Sequence, residues 1–266
     1  SSTPFDVVDE TFLTEGDLAR YEALVLPNAA CLSNVQCRAL VEYVREGGKL
    51  VADFESSHYD ESGSRRENFG LAELFGASSV NAISDHRRWD YAFLKEPGEG
   101  KLSFMVTDHF PAPRRNLKIR IESAKVHAVF SKALVSNIIG VAERSDDPFL
   151  VENRVGEGVC YYFPTMFGEF FEETHAEIYP RILLELLGDC ARSASVSGLP
   201  NQIDIHVRRQ IKKKRTMIHL VNLELGGTGD ILPAHNLKLT CQVDHKVRNV
   251  RALRAGKKVK FRVKNG

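Results

Sequence analysis

Cys31, His175, Glu177 and the string Phe54-Glu55-Ser56-Ser57-His58 are the residues whose types invite a search for nucleophilic chemistry. A thiol or hydroxyl nucleophile works from a strained strand-to-helix turn with small flanking residues, next to a base. The apolar run Leu50 to Asp53 ends where such a turn belongs, but Phe54 follows it, with neither Cys nor Gly nearby. Cys31 comes after an earlier strand, in a PNAAC setting that lacks the tight glycine turn. His175-Ala176-Glu177 mimics a base pair of the H-x-E kind but lies well past the end of its strand. The expectation is that these residues offer no nucleophile at such a turn.

Other groups fare similarly. A retaining glycosidase needs two carboxylates about 5 Å apart on facing elements. Glu169, Glu172 and Glu173 are instead close in sequence, as the solvated start of a helix would be. Glu172-x-x-His175 has the spacing of one half of a di-metal site, but it occurs as a single copy. No cofactor and no metal are expected. The basic run Arg208 to Arg215 suits phosphate or nucleic acid, yet it lies between two strands, where a charged hairpin turn is simpler. It also lacks the interleaved aromatics of single-strand binding. The cluster Asp85 to Tyr91 holds the only Trp. His86, Trp89 and Tyr91 are the candidate binding residues, and carbohydrate is the ligand class they suit, because aromatic faces stack on pyranose rings. An interface anchor is their more ordinary role.

Composition narrows the classes. The 266 residues are enough for one large domain or two smaller ones, and 43% hydrophobic residues can fill a core. A formal net charge of +1 predicts no nucleic acid and no membrane partner. No run approaches the roughly 20 apolar residues of a membrane span, and no signal-peptide pattern opens the chain. Five cysteines without a CxxC pair or regular framework read as buried free thiols in a reducing compartment. That favours a cytoplasmic setting, with the location otherwise open. The chain has no initiator Met and stops just after a strand-like segment, Val259 to Val263, and so reads as a piece of a longer protein.

Positioning falls to the stretch Tyr21 to Tyr59. Ala23 to Leu26 is a buried strand, Ser33 caps a helix with Leu40, Val41 and Val44 on one face, Gly47-Gly48 closes it, and Leu50 to Ala52 is a second buried strand. This is a right-handed βαβ unit. Phe5 to Val8 reads as a strand, Thr14 as a helix cap, His58 to Asn68 as a surface loop, and Gly70 to Phe75 as a short helix stopped by Gly76. Leu102 to Val106, Lys118 to Ile121, Ala124 to Phe130 and Ile138 to Ala142 read as strands, some with the alternation of an antiparallel edge or insertion, and Pro111-Ala112-Pro113 marks a loop. Asn153 to Gly158 is a hairpin or tight connection into Val159 to Pro164. Thr174 to Leu187 is a closing helix that, with Pro180 inside it, starts or kinks near Tyr179. Gly188 to Pro200 is small and polar, as a linker is, and strands alone follow it.

LVLPNAACLS followed by EYVREGGKLVADFESSHYDESGSRRENFGLAELFG resembles the trimerisation domain of the family 42 β-galactosidases. Members carry VLPN, GG-LVA, YDE-G and F-LA-LFG segments in that order. Here these are Val25 to Asn28, Gly47 to Ala52, Tyr59 to Gly63 and Phe69 to Gly76. The similarity covers residues 5 to 80; Val159 to Pro164 is similar to a late strand of the same domain, and His219 to Glu224 to the family's C-terminal β-domain. In the family, the segment at Phe5 to Asp9 follows a first strand and helix that this chain lacks.

The resemblance implies an α/β fold of the class I glutamine-amidotransferase-like, flavodoxin-like kind: a parallel sheet with helices on both faces, then a small antiparallel β-domain. It divides the chain into an amidotransferase-like trimerisation domain, 1–190, lacking its first strand and helix, and a truncated β-sandwich-like domain, 199–266. It implies a non-catalytic assembly region of a multidomain glycoside hydrolase, associating as a homotrimer. A preceding barrel of the same polypeptide, absent from these residues, would hold the catalytic glutamates and hydrolyse β-galactosides or related glycosides with retention. The alternative is a standalone carbohydrate-binding or regulatory protein on the same degenerate fold. A hydrolase or amidotransferase in its own right would need a nucleophile that the residues do not offer.

Overall fold

Leu24, Leu26, Leu50 and Ala52 point to one side of two adjacent strands and are buried there. The computed structural model describes residues 4–85, 90–113, 115–132, 143–192, 194–199, 203–243 and 246–264. The chain divides into two units, Val8–Gly188 and Ser1–Val7 with Asp189–Gly266.

The Val8–Gly188 unit grows from the expected βαβ element. Strand β1 (Ala23–Leu26) pairs in parallel with β2 (Lys49–Asp53), and helix α2 (Asn34–Arg45) connects them. Helix α2 starts where two orphan donors are satisfied reciprocally. The Gln36 backbone N–H donates to Ser33 Oγ at 3.2 Å, and the Ser33 N–H donates to Gln36 Oε1 at 2.8 Å. The turn at its other end returns the chain through Gly48, whose N–H donates to the Tyr43 carbonyl.

Beyond β2 the expected flavodoxin-like parallel sheet with helices on both faces is not what the chain forms. The main sheet has seven strands in the order β1-β2-β9-β8-β7-β4-β5, where β4 is Asp90–Leu94, β5 His109–Ala112, β7 Lys125–Ser131, β8 Arg144–Val155 and β9 Gly158–Phe163. Only β1, β2 and β9 are mutually parallel; β8, β7, β4 and β5 follow by antiparallel pairing. The structure is mostly β, so the class I glutamine-amidotransferase-like α/β assignment is corrected. The physical reason lies in the connections. Gly156 and Glu157 join β8 to β9 in a two-residue turn, with Val155 opposite Gly158 and Gly156 at φ +58°, and so tight a turn can only join antiparallel strands. A separate ribbon of β3 (Ala77–Asp85) and β6 (Arg115–Ile121) completes the unit's strands.

Alternation along the central strands serves two cores. Leu50, Ala52, Cys160 and Tyr162 join Leu40 and Val44 of α2 and Leu74 and Phe75 of α3 (Ala72–Phe75). Val51, Tyr161 and Phe163 face the other way and join Phe149, Phe170, Tyr179, Ile182 and Leu186. The last four come from α4 (Phe167–Thr174) and α5 (Ile178–Leu187). The closing helix, expected to start or kink near Tyr179, is α5 and starts at Ile178; α4 precedes it and ends at His175, which takes the left-handed conformation at φ +52°. Pro180 sits in the first turn of α5, where its missing N–H costs nothing.

Other local expectations shift as well. Phe5 to Val8 is not a strand, and Thr14 lies inside the short helix α1 (Phe12–Glu15) rather than capping it. Leu102 to Val106 is a helical turn: Leu102 and Met105, three apart, are buried, whereas Val106 is fully exposed. Pro111 and Ala112 belong to β5, an edge strand, where a residue without an N–H is tolerated. Ile138 to Ala142 lies outside the described residues.

The second unit consists of two-stranded sheets. Strand β10 (Ala194–Leu199) pairs with β13 (His235–Cys241), β11 (Ile203–Gln210) with β12 (Arg215–Asn222), and β14 (Arg251–Ala252) with β15 (Lys257–Lys258), all antiparallel. Ala194, Val196, Ile203 and Ile205 are buried.

Candidate functional site

The carboxyl ends of parallel strands are where open sheets with crossover helices present ligands and reactive groups. In this chain those ends are Leu26, Asp53 and Phe163. Around them the backbone is locally strained: Asn28 stands at φ +47°, Phe54 at +45° and Ser57 at +63°. Non-glycine residues hold such conformations only where their surroundings over-determine them.

The hydrogen bonds here do that. The Asn28 N–H donates to Asp53 Oδ1 at 2.5 Å, and Asn28 Oδ1 accepts from the Glu55 N–H at 3.2 Å. The Phe54 N–H donates to the Phe163 carbonyl at 2.7 Å, and the Phe54 carbonyl accepts from the Tyr162 hydroxyl at 2.5 Å. Ser56 Oγ donates to the Asp53 carbonyl at 2.7 Å, and Ser57 Oγ accepts from the Leu71 N–H at 3.0 Å. His58 is 0% exposed, so the loop expected to lie at the surface begins inside the protein. Its ring packs 4.7 Å from that of Phe69, and its Nε2 faces Asn81 Oδ1 at 3.2 Å. Its Nδ1 is buried with no hydrogen-bond partner among the described residues.

Asp53 and His58 both have displaced proton affinities. Burial raises the Asp53 carboxyl to about 7, against its ordinary 3.8, with only the Asn28 N–H opposing. Burial, helped by the positive charge of Arg65 and opposed by the Asn81 hydrogen bond, lowers His58 below its ordinary 6.5 and so favours the neutral imidazole. A carboxyl whose folded pKa is raised contributes stability below its unfolded pKa and loses it as pH rises to the folded one. Between pH 3.8 and about 7 the protein should therefore lose up to roughly 1.4 kcal/mol per pH unit through Asp53 alone. Asp53→Asn, which keeps an acceptor for the Asn28 N–H, should flatten that part of the stability profile. Denaturant unfolding of both proteins between pH 4 and 8 checks this; parallel profiles would contradict it.

The chemistry open to this arrangement is limited. The strained position after β2, where a nucleophile would stand, carries the hydrocarbon side chain of Phe54. The hydroxyls of Ser56 and Ser57 are engaged with backbone groups and neither meets His58. Among the described residues there is thus no nucleophile–base pair here, and no group of three or more His, Cys, Asp or Glu placed to hold a metal. The polar groups fix the loop instead.

The sequence candidates lie elsewhere. His86 and Trp89 are outside the described residues. Tyr91, half-buried at the start of β4, donates its N–H to Ser131 Oγ at 3.2 Å, with its ring edge-on to His109 at 5.6 Å. Cys31 is exposed, and His175 is the left-handed cap of α4. The buried Asp53 and His58 were not foreseen as a pair. The one signal was a carboxylate closing the apolar run Leu50-Val51-Ala52 ahead of Phe54. No helix among the described residues is long and apolar enough to cross a membrane.

Residues 1–106 match the family model described as GLMA-like, second domain. No curated protein matches the chain. Among solved structures, the β-galactosidase from Bacillus circulans sp. alkalophilus is similar with a TM-score of 0.57 at 16% identity, over 74% of this chain and 26% of that one. The family 42 β-galactosidase Gan42B from G. stearothermophilus, a catalytic mutant, gives 0.53 at 20% identity over the same shares. α-L-Fucosidase isoenzyme 2 from Paenibacillus thiaminolyticus gives 0.66 at 16%, over 98% of this chain and 39% of that one. The chain therefore spans about a quarter to two-fifths of these relatives' length. Residues 1–106 are thus similar to a GLMA-like second domain, and the chain shares its fold with a part of these β-galactosidases.

Proposed function

We propose that this chain is the non-catalytic assembly region of a multidomain glycoside hydrolase of the family 42 β-galactosidase kind. The observation that carries the reading is the match of residues 1–106 to a GLMA-like second domain. The likeness in fold to β-galactosidases and a fucosidase points the same way. Phe54 at the strained turn fits a domain that assembles and does not catalyse. In this reading the polypeptide carries a catalytic barrel outside these residues, acting on β-galactosides or related glycosides, and residues 1–190 bring three copies together. Residues 199–266 form a β-domain packed on the barrel, and His86, Trp89 and Tyr91 are available to a carbohydrate at the rim.

An obligate contact of this sort buries about 1,000 Å² or more. Sedimentation equilibrium of the 29.8 kDa chain should report association toward a trimer, and the chain alone should not turn over an aryl β-galactoside. A monomer at every concentration, or turnover by the isolated chain, would overturn the assignment.

A further inference from the structure

Two uncompensated charge clusters of opposite sign stand out. The first is the β11–β12 turn. Residues 211–213 form a single 3₁₀ turn, and Lys214 closes it in the left-handed region at φ +45°, where a lysine has no conformational advantage. Two of the flanking arginines have partners: Arg208 pairs with Asp6 at 2.8 Å, and Arg215 Nε donates to Gln210 Oε1 at 2.6 Å. Lys212, Lys213 and Lys214 are exposed, and none is in an ion pair among the described residues. Arg209, Gln210, Ile211, Lys212 and Lys213 border a cleft of about 400 Å³.

The second cluster is on α4. Phe167 and Phe170 turn inward, which leaves Glu169, Glu172 and Glu173, at i, i+3 and i+4, on one exposed stripe. No ion pair neutralises them among the described residues. The stripe works against its own helix. Glu169 and Glu173 repel across one turn, and Glu172 and Glu173 lie in the last turn, at the negative end of the dipole, with no basic residue beside them. Neither Lys212–Lys214 nor Glu172 and Glu173 has a charge partner among the described residues, and each cluster supplies the charge the other lacks.

We propose that the Lys212–Lys214 turn of one copy docks on the Glu169, Glu172 and Glu173 stripe of a second copy. The inference rests on the assembly reading above and names a contact for it. Turn and stripe are different surfaces, so the contact is head-to-tail, and such contacts close into rings when the rotation permits. Three cations against three exposed carboxylates set register and encounter rate, and salt screens them.

The test is a charge swap read by sedimentation equilibrium of the full chain. Lys212→Glu, Lys213→Glu and Lys214→Glu together should weaken association about tenfold at low salt, as should Glu169→Lys, Glu172→Lys and Glu173→Lys together. The six-fold swap should restore it to within about threefold of the original, and raising the salt should weaken the original chain and the swap alike. Circular dichroism melts of each variant establish that it is folded. Association untouched by either reversal, or a swap that fails to restore it, overturns the docking contact and leaves the assembly reading standing. Reversals that alter the melt but not the association show that the clusters meet within one copy, which also overturns it. A starting chain that never associates removes both.

Discussion

Phe75→Ala is expected to destabilise the protein by about 3–5 kcal/mol, the range for deleting a fully buried aromatic side chain. Phe75 is 0% exposed, and its ring stacks on that of Tyr162 with centroids 4.0 Å apart and planes 6° from parallel. Phe69 meets the same ring edge-on at 5.3 Å. The site has little freedom to collapse around a cavity. Gly76, the next residue, accepts backbone hydrogen bonds from Glu122, Ser123 and Ala124 at its carbonyl, which pins the end of α3. Tyr162, the stacking partner, also holds the strained Phe54 carbonyl, so the loss reaches the loop after β2. Urea unfolding should show the full shift in midpoint, with Phe75→Leu costing about half as much because most of the volume stays. A shift below about 1 kcal/mol for the alanine variant would mean that this core is not closely packed.

Gly158→Ala is expected to cost about 3 kcal/mol or more, an unusually large effect for a single methyl group. A Cβ at that position would stand 2.0 Å from the Val44 carbonyl oxygen and 2.4 Å from that of Gly48. Both are backbone atoms, so no side chain can rotate out of the way, and α2 must move off the start of β9. The contrast is Gly168→Ala in α4, where a Cβ meets nothing within 4 Å. There the methyl group should stabilise the helix by about 0.5–1 kcal/mol through the lost freedom of glycine. Thermal melts of the two variants, shifted in opposite directions, check both. Equal shifts would contradict the close approach of α2 to β9.

The elements legible in the sequence were those whose signals are local. Ser33 as a cap, an apolar stripe, and Gly47-Gly48 were enough to place α2 between two buried runs. Gly76 was rightly the end of a short helix, and it stands at φ +59°. Strand direction was another matter. A run such as Phe149-Leu150-Val151 is buried whether its neighbour runs parallel or antiparallel, so β8 left no mark of its direction in the apolar pattern, whereas the alternation read as an antiparallel edge or insertion did point toward the antiparallel part of the sheet. The turn at Gly156 did carry that information, and the assumption of a parallel sheet overrode it. Leu102 and Met105 show the opposite error: an apolar run read as a strand was a helical turn that buries every third residue. At the candidate site, HYDESGSRREN is polar as a whole, which hid the insertion of its first residue, His58, into the core. Asp53 was hidden in the same way, because a carboxylate at a strand end is ordinarily solvated.

The most direct test of the account is to read the coding frame upstream of Ser1. A long in-frame (β/α)8 segment is expected there, with two strand-end glutamates set as a retaining pair, about 5 Å apart in the folded barrel. That would make these residues the assembly region of a glycosidase. An initiation codon within a few dozen residues of Ser1, with no barrel before it, would contradict the account and leave a small protein that must act without a catalytic partner on its own chain.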